Sequence, residues 1–589
     1  MSKKLLVTTA LPSTWKHKEF MIFLGDWCQK NNNFSSLDKK KYQIFKYHWD
    51  DRSKLKKDYE YIKILERKVL LELIKFLNDY HQKNYSERYW KILLGPWLLT
   101  LLQIILERYS NLKYFFEENK DEEIETVILN KQNNQEFISN NFEEFSRYTL
   151  TDTWNYFLYV NLINFEKFKF PVKKSFLNFV DEENYRAYLK LNYSNKNKFL
   201  SFFSSIFEKI IGSQDVLISE SYLGKFQELL LSLKLKSIPR YSEGVKSFET
   251  NIDDKSRIKR LSFVADNVFE EFIQSNIIKF LPKSLMEDFD FINNHINKMH
   301  WPKKPKVIFT SHFMQKTFQS RYVAECIEKN DTKLIIGQHG GVYGQYLFST
   351  MEDYELKICD RYLSWGWGNS KDKKIVPFGI IKNIKKIEHN RKNKDLLMIL
   401  RSQTKYTHRI NSYSGTNQIK KYFYENIEFC KKLDKEIIKN DLILRFHARK
   451  FGWNEDEIFQ NALGKLRVDL GYSKIFDLIA KSKLVLQTYI GTGYLETLAC
   501  NIPTIIFANT DECLLNEKTV EDLRDLKEKN IFFDDKERAA KFINQIWKDV
   551  PTWWFDKSTQ EARENFCQKY SKIVPNKNNQ LIDIIDNLK

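Results

Sequence analysis

Glycine and proline are scarce in this sequence, with 18 and 11 residues among 589. The seven cysteines form no CxxC pair and no Cys/His cluster of the zinc type, so we expect free, mainly buried thiols in a reducing compartment. The longest apolar stretch, residues 92–106, is interrupted by Gly95 and Pro96 and is too short to span a bilayer. It predicts a buried helix that begins near Pro96.

Acidic residues are fewer than basic ones: the sequence has 77 Asp and Glu against 95 Lys and Arg, which gives a net charge of +18. Such an excess suits a nucleic acid, an anionic membrane surface or an acidic substrate. The basic residues form no block, and no nucleic-acid motif accompanies them, so we expect no nucleic-acid partner. The amino terminus lacks a full signal-peptide apolar region, and residues 4–10 predict a first strand instead.

Helical spacing dominates from about residue 18 to 297, for example over residues 59–78 and 217–235. Short apolar strands then alternate with helices, which predicts βαβ units and a parallel sheet buried on both faces. A strand at residues 4–10 is expected to join this sheet across the helical insertion. The expected strands of the sheet are 306–311, 333–337, 361–365 and 374–378, with a helix over 315–329.

A polar tract over residues 382–394 has no apolar period and predicts a linker. A second alternating series follows, so the chain is predicted to be an α/β protein with two Rossmann-like parallel-sheet lobes and a cleft between them. Strands are expected at 395–400, 442–446, 484–487 and 503–507, with helices at 418–439, from 473, and at 493–500. The predicted domains are 1–381, with the helical insertion at about 18–297, then the linker, a lobe over 395–550, and terminal helices over 551–589 with an aromatic anchor at Trp553 and Trp554.

The few glycines are concentrated after one predicted strand, where Gln338, His339, Gly340 and Gly341 form the next loop. Ligands of open parallel sheets bind outside the carboxyl ends of the strands. Glycines there would give a ligand room to approach, and the imidazole would be placed for proton transfer or phosphate binding. The alternative is a turn with a structurally bonded histidine. His312 follows a neighbouring strand and has the same two interpretations.

Similar clusters follow the strands of the second lobe. Residues 488–493 form a hydroxyl- and glycine-rich loop that opens a helix, which predicts an anion site built from backbone amides. Glu496 would lie one turn inside the helix, within reach of a ribose hydroxyl. The alternatives are an ordinary strand-to-helix turn and solvated charges. The candidate ligand-binding residues of this lobe are Arg401, Ser402, Arg445, His447, Thr488, Gly491, Thr492, Gly493 and Glu496.

Several motifs are similar to those of known families. Over nearly the whole chain, the sequence resembles a family of transferases from bacterial O-antigen and surface-polysaccharide loci. Residues 300–550 resemble the GT-B class of nucleotide-sugar glycosyltransferases, although alanine follows His447 where many GT-B members have proline. The motifs that carry these resemblances are residues 47–52 (YHWDDR), 77–81, 89–97, 338–341 (QHGG), 445–447, 488–496, 501–503 and 553–554.

The resemblance implies a GT-B-like, metal-independent glycosyltransferase without a cofactor. It implies a CMP-activated donor carrying Kdo or another nonulosonic acid, with Gln338, Gly340 and Gly341 among the donor contacts. The acceptor would be a surface glycan such as O-antigen or capsule. The alternatives are a nucleotide-sugar epimerase or hydrolase, and a catalytically silent glycan-assembly protein.

A general base would remove the proton of the acceptor hydroxyl. The candidates are His339, His312, and a carboxylate at Asp50 or Asp51, although both aspartates have a simpler interpretation as charges at the start of a helix. The enzyme would work in the cytoplasm, where its positive charge would hold it against an anionic inner membrane that carries a lipid-linked acceptor.

Overall fold

The structure is a computed structural model. It describes residues 3–16, 20–29, 39–130, 137–179, 215–237, 250–299, 301–369, 372–384, 393–413, 415–510 and 512–589. The strands in this part of the chain are β1 (Lys4–Val7), β2 (Phe20–Phe23), β3 (Tyr42–Ile44), β4 (Ile124–Asn130), β5 (Lys173–Asn178), β6 (Val216–Ile218), β7 (Val307–Thr310), β8 (Lys333–Gly337), β9 (Arg361–Ser364), β10 (Ile375–Pro377), β11 (Asp395–Ile399), β12 (Leu442–Arg445), β13 (Arg467–Asp469), β14 (Ser482–Gln487), β15 (Thr504–Phe507) and β16 (Phe532–Phe533).

The described part of the chain also forms α-helices, of which α1 and α2 are the longest. The helices are α1 (Arg52–His81), α2 (Glu87–Glu118), α3 (Phe142–Tyr148), α4 (Asp152–Asn164), α5 (Lys225–Lys234), α6 (Asp254–Arg257), α7 (Val268–Asn276), α8 (Phe289–Lys298), α9 (Thr317–Asn330), α10 (Thr350–Ile358), α11 (Ile419–Lys431), α12 (Glu455–Leu463), α13 (Ile475–Lys481), α14 (Thr492–Ala499), α15 (Glu517–Glu528), α16 (Lys536–Ile546), α17 (Val550–Trp554), α18 (Lys557–Tyr570) and α19 (Lys577–Asp586).

Three parallel sheets organise the described residues. The first has the order β3-β2-β1-β4-β5, the second β10-β9-β8-β7-β6, and the third β13-β12-β11-β14-β15-β16. Apolar strands alternate with helices in the second and third sheets, as the sequence predicts, and the α/β fold class with parallel-sheet lobes is confirmed. The seven cysteines, all in the described part of the chain, are buried and form no disulfide.

The first sheet is the main departure from the predicted architecture. β1 does not join the sheet at residues 306–378; it pairs with β2 and β4, with Lys4 opposite Phe20 and Ile124. The region expected to be helical therefore contributes a sheet of its own. The predicted helix over 217–235 is also corrected, because residues 216–218 form β6 and the helix begins only after Gly224. Three-residue strands such as β3 and β6 are too short to show a period in the sequence.

Helix α2 begins earlier than predicted, and Pro96 lies inside it. Ser86 caps the helix by accepting a hydrogen bond from the Tyr89 amide at 3.2 Å. Proline removes the donor that would bond the Ile92 carbonyl, and the Tyr354 hydroxyl donates to that carbonyl at 3.0 Å instead. Gly95 leaves room for the Tyr354 ring, because a Cβ at position 95 would lie only 2.3 Å from the ring.

Among the described helices, α2 alone is long and apolar enough to cross a membrane by length and composition. Its apolar window is 94% buried inside the protein. A core helix of a soluble domain satisfies the same test, and burial on all sides explains why α2 is apolar all round.

The second sheet is buried on both faces, with side chains alternating between them. Val307 and Phe309 of β7 pack with Leu581 of α19, whereas Ile308 packs in the main core on the opposite face. The helices that connect β7 to β8 and β8 to β9 lie on the main-core face. Helices α5 and α19 cover the other face, so the chain returns to the second sheet at its carboxyl end.

The third sheet has the strand order of a doubly wound nucleotide-binding fold, with a topological switch between β11 and β14. Trp554 anchors the terminal helices to it, because the buried indole donates to the Asn501 side chain at 2.9 Å. Residues 385–392 of the predicted linker lie outside the described residues.

Candidate functional site

A cavity of about 350 Å³ lies beyond the carboxyl ends of β11 and β14, at the switch point of the third sheet. We name it the switch-point cavity. Reversal of the strand order opens a crevice at this position, since the loops after the two strands turn in opposite directions. Gly341, Val342 and Tyr346 of the first lobe close one side of it. Seven of the residues predicted from the sequence line the cavity: Gly341, Arg401, Ser402, His447, Thr488, Gly491 and Thr492.

The glycines after β8 have a use that the sequence did not predict. A Cβ at Gly341 would lie 2.8 Å from Thr492 Cα and 2.9 Å from the Gly491 carbonyl oxygen. The Gly341 amide donates to Thr492 Oγ1 at 2.9 Å, and a Cβ at Gly340 would meet the same oxygen at 3.4 Å. Gly341 therefore lets the two lobes touch and also lines the cavity.

The amino end of α14 gives the cavity an electropositive wall. Helix α14 starts at Thr492, and the residue before it, Gly491, offers no side chain to cap the first amides. Such a helix end attracts anions, because its amides lack intrahelical partners. The guanidinium of Arg401 adds a full positive charge and stacks on the Tyr422 ring, 4.8 Å from its centroid. Phosphate is the group that this combination suits best.

Thr488 is buried in the cavity wall and holds the two strand ends together. Its hydroxyl donates to the Ile399 carbonyl at 2.7 Å and shares a hydrogen bond with the Tyr422 hydroxyl. Burial raises the pKa of Tyr422 to about 12, so its hydroxyl stays protonated. Thr488 thus contributes to the shape of the cavity, with its side chain already engaged by the protein.

Sequence reasoning missed much of the opposite wall. Glu425 and Glu512 place two carboxyl groups in the cavity, and burial together with the Glu512 charge raises the pKa of Glu425. Tyr422 and Glu425 lie three residues apart on α11, a spacing that brings side chains to one helix face. The loop after β15 was recognisable as another strand end. Among the lining residues that the sequence did not indicate are Tyr413, Tyr422, Glu425, Asn426, Asn509, Glu512 and Cys513.

Gln338, predicted as a donor contact, is instead a buried brace of the loop. Its amide oxygen accepts hydrogen bonds from the Trp365 backbone amide at 2.9 Å and the Trp367 indole at 2.7 Å. Its amide nitrogen donates to the Gly340 carbonyl at 2.7 Å. With both ends of the side chain bonded, Gln338 positions His339 and the glycines that follow.

Three predicted donor contacts of the second lobe also lie elsewhere. Arg445 pairs with Asp469, because β13 lies beside β12 and places the carboxylate at the same strand end. Glu496 is buried and accepts from the Lys382 ammonium at 2.8 Å, so its carboxylate is neutralised within the protein. Gly493 packs against the Gln487 side chain, 3.0 Å from a built Cβ.

His312 and His339 follow adjacent strands of the second sheet and come together, with ring centroids 5.2 Å apart. The Tyr343 ring lies 5.6 Å from His339 and the Tyr222 ring 6.0 Å. Burial, assisted by the charges of His312 and Arg409, lowers the pKa of His339 to about 3. The imidazole is therefore neutral at physiological pH, in the state that accepts a proton.

Glu355 completes this group, which we name the histidine cluster: Tyr222, His312, His339, Tyr343 and Glu355. The Glu355 carboxyl group is fully buried on α10, with Oε1 3.6 Å from His339 Nδ1. Its other oxygen accepts from the Tyr362 hydroxyl at 3.2 Å. Burial raises the pKa of Glu355 well above its usual value. Nothing in the local sequence distinguishes Glu355 from the other glutamates of a surface helix.

The two aspartates considered as bases lie at the start of α1. Asp51 caps the helix, since its carboxylate accepts from the amides of Ser53 at 2.9 Å and Lys54 at 3.2 Å. The Ser53 hydroxyl and these amides lower the pKa of Asp51. Asp50 accepts from the Gln418 side chain at 2.9 Å in an exposed position. The geometry agrees with the helix-start interpretation of Asp51, and neither residue lines the switch-point cavity. Within the described ranges, no group of three or more His, Cys, Asp or Glu could hold a metal ion.

Comparisons with known proteins give one extended match. Residues 4–585 match the model of a family described as LIC12162 family transferase, and no curated protein matches. Among solved structures, MurG of Acinetobacter baumannii has a TM-score of 0.32 at 10% identity, covering 64% of this chain and 100% of MurG. An α-glucosyltransferase in complex with UDP and a 13-mer DNA containing a central A:G mismatch has a TM-score of 0.31 at 14% identity, with coverages of 64% and 100%. The family match spans almost the whole chain, whereas the structural similarities are too low to bear on activity.

Proposed function

Because the chain belongs to the LIC12162 family of transferases, we propose that it is a glycosyltransferase that moves a sugar from a nucleotide-activated donor to a surface-glycan acceptor. The switch-point cavity is the observation that carries this proposal. It lies where doubly wound sheets bind nucleotides, and it combines a helix amino end and Arg401 with aromatic walls.

The donor is proposed to be CMP-activated and to carry Kdo or another nonulosonic acid. This part of the proposal is supported by the resemblance of the sequence to surface-polysaccharide transferases. The diphosphate or monophosphate of a nucleotide would lie against Gly491 and Thr492, at the start of α14. Arg401 and the helix amides would neutralise the leaving phosphate, so the transfer is proposed to need neither a metal ion nor a cofactor.

His339 is proposed as the general base. An acceptor oxygen would attack the anomeric carbon while the bond from that carbon to the phosphate oxygen breaks. The hydroxyl proton would pass to the neutral His339 imidazole, and the electron pair would leave on the phosphate. Glu355, with Oε1 3.6 Å from Nδ1, would pack beside the ring and limit its orientation. His312 is the second candidate for the same role.

The acceptor is proposed to be a glycan of the O-antigen or capsule type, attached to a lipid at the inner face of the cytoplasmic membrane. The charge of +18 supports contact with an anionic surface. The protein would then work in the cytoplasm as a peripheral membrane enzyme.

A thermal-shift series with CMP, UDP, GDP and dTDP tests the donor site, because a ligand that binds only the folded state raises its apparent stability. We expect the largest shift with CMP, and the shift should be lost in Arg401→Gln. Absence of a shift with every nucleotide would overturn the donor site. Nucleotide release only when an acceptor glycan is added supports transfer, whereas release without acceptor would indicate a hydrolase.

A further inference from the structure

Helix α5 has its apolar side chains on the outside. Phe226, Leu229, Leu230 and Leu233 have exposed fractions of 69%, 42%, 36% and 50%. They recur at helix positions i, i+3, i+4 and i+7, which form one continuous face. We name these four side chains the apolar stripe. Single exposed apolar residues are normal on soluble proteins, but a contiguous row of them marks a contact surface.

The opposite face of α5 is fixed to the protein, so the orientation of the stripe follows from packing. Leu231 is fully buried against the second sheet. Glu228 is also buried, and its carboxylate accepts from the Ser221 hydroxyl at 3.0 Å. At the side of the helix, Gln227 accepts from the Asn578 amide of α19 at 3.1 Å. A helix that buries a glutamate and exposes three leucines has the reverse of the usual amphipathic pattern.

Lysines border the stripe. At 100° per residue, Lys225 lies about 100° to one side of Phe226 and Lys234 about 80° to the other. Lys236 follows immediately beyond the end of the helix. An apolar face flanked by lysines has the chemistry of a helix that lies in the interface of an anionic bilayer.

From the stripe and its lysines we infer that α5 docks the protein on an anionic lipid bilayer, with Phe226 and the leucines entering the boundary between headgroups and acyl chains. This inference rests on the proposed function where it concerns the acceptor, since it names the surface that makes the membrane contact. Lysines near such a surface are attracted by the negative potential of the anionic lipids.

The stripe also leads to the histidine cluster. Tyr222 lies four residues before Phe226, is 43% exposed, and has its ring 6.0 Å from the His339 ring. A bilayer in contact with α5 would therefore bring the headgroup of a lipid-linked acceptor close to the proposed base. This proximity follows from the strand order, because β6 and β8 flank β7 and the residues that follow them meet at the carboxyl edge of the sheet.

Co-sedimentation with vesicles tests the inference without any need for transferase activity. The full chain should bind phosphatidylglycerol vesicles and bind phosphatidylcholine vesicles much more weakly. The double variant Phe226→Ser/Leu230→Ser should reduce binding to phosphatidylglycerol at least about tenfold. Tyr472→Ser/Val520→Ser is the matched control, since it removes two exposed apolar side chains from other surfaces and should leave binding unchanged. Lys225→Glu/Lys234→Glu should weaken binding mainly at low salt.

Equal binding of the stripe variant and the parent protein would overturn the inference. So would self-association in the absence of lipid that disappears in the stripe variant, because the stripe would then be an interface between copies of this chain. All four substituted positions of the two serine variants are exposed, so the fold should be kept, and the thermal shift with CMP provides a separate reading. Vesicle binding without any nucleotide shift would leave the docking surface standing and contradict the proposed donor site.

Discussion

The second and third sheets present polar residues at the carboxyl ends of their strands in two different ways. In the third sheet the strand order reverses between β11 and β14, and the crevice there holds the switch-point cavity. In the second sheet the order is sequential, and the residues after β7 and β8 pack against one another as the histidine cluster.

The difference in strand order suits the two sheets to different roles. A reversal of strand order leaves space for a ligand of nucleotide size, whereas a sequential sheet brings neighbouring strand ends close enough for side chains to touch. In the proposed mechanism the third sheet binds the donor and the second carries the proton. Gly341 and Thr492 join the two regions by a direct hydrogen bond.

Replacement of the proposed base should distinguish the functions of the two regions most clearly, because it should affect turnover and not nucleotide binding. His339→Gln is expected to lower turnover by about 10²- to 10⁴-fold, the usual contribution of a positioned acid or base. Its CMP thermal shift should remain, because the switch-point cavity is intact. The measurement is nucleotide released from a CMP-activated sugar in the presence of acceptor glycan. His312→Gln is the companion variant, and a larger loss in that protein would assign the base to His312 instead.

Separation of the lobes should have the next largest effect. In Gly341→Ala the new Cβ would meet Thr492 Cα at 2.8 Å and push the loop from α14. Overpacking of this kind costs about 1–3 kcal/mol, so nucleotide affinity measured by calorimetry should fall about tenfold or more. Gly415→Ala is the matched control, since its Cβ would have no neighbour closer than 3.7 Å. Unchanged affinity in Gly341→Ala would show that the cavity does not need the contact between lobes.

These two regions also show which features of the site could be predicted from the sequence. Strand ends are visible as apolar runs followed by polar or glycine residues, so His312, His339 and the loop at 488–493 could be placed near a cleft. The partner of each side chain could not be predicted. Asp469 pairs with Arg445, and Lys382 with Glu496, only because the folded chain brings residues that are distant in the sequence together. The first sheet was missed for a related reason: β2 and β4, the two neighbours of β1, are about a hundred residues apart in the sequence, with helices α1 and α2 between them.

The buried carboxyl group of the histidine cluster makes a pH-dependent prediction. Burial raises the folded-state pKa of Glu355 above the ordinary value of 4.5. The folded protein then holds a proton that the unfolded chain releases, so this group lowers stability as pH rises above about 4.5. Glu355→Gln should remove the loss, and its stability relative to the parent should increase by up to about 1.4 kcal/mol per pH unit. Urea unfolding at several values between about pH 5 and 8 measures it, with exposed Glu521→Gln as control. A difference that does not change with pH would mean that Glu355 is ionised beside a charged His339.

The smallest expected effect concerns Asp51, for which a catalytic and a structural role predict opposite results. As the cap of α1, its carboxylate accepts two backbone amides, and Asp51→Ala should cost about 1 kcal/mol of stability. Turnover should stay within about twofold, because a cap acts on the helix and a base would contribute about 10²-fold or more. Asp556→Ala is the matched control, since Asp556 caps α18 through the amides of Ser558 and Thr559 in the same way. If Asp51→Ala abolished turnover while Asp556→Ala only lowered stability, Asp51 would be the general base. The histidine cluster would then lose its proposed role.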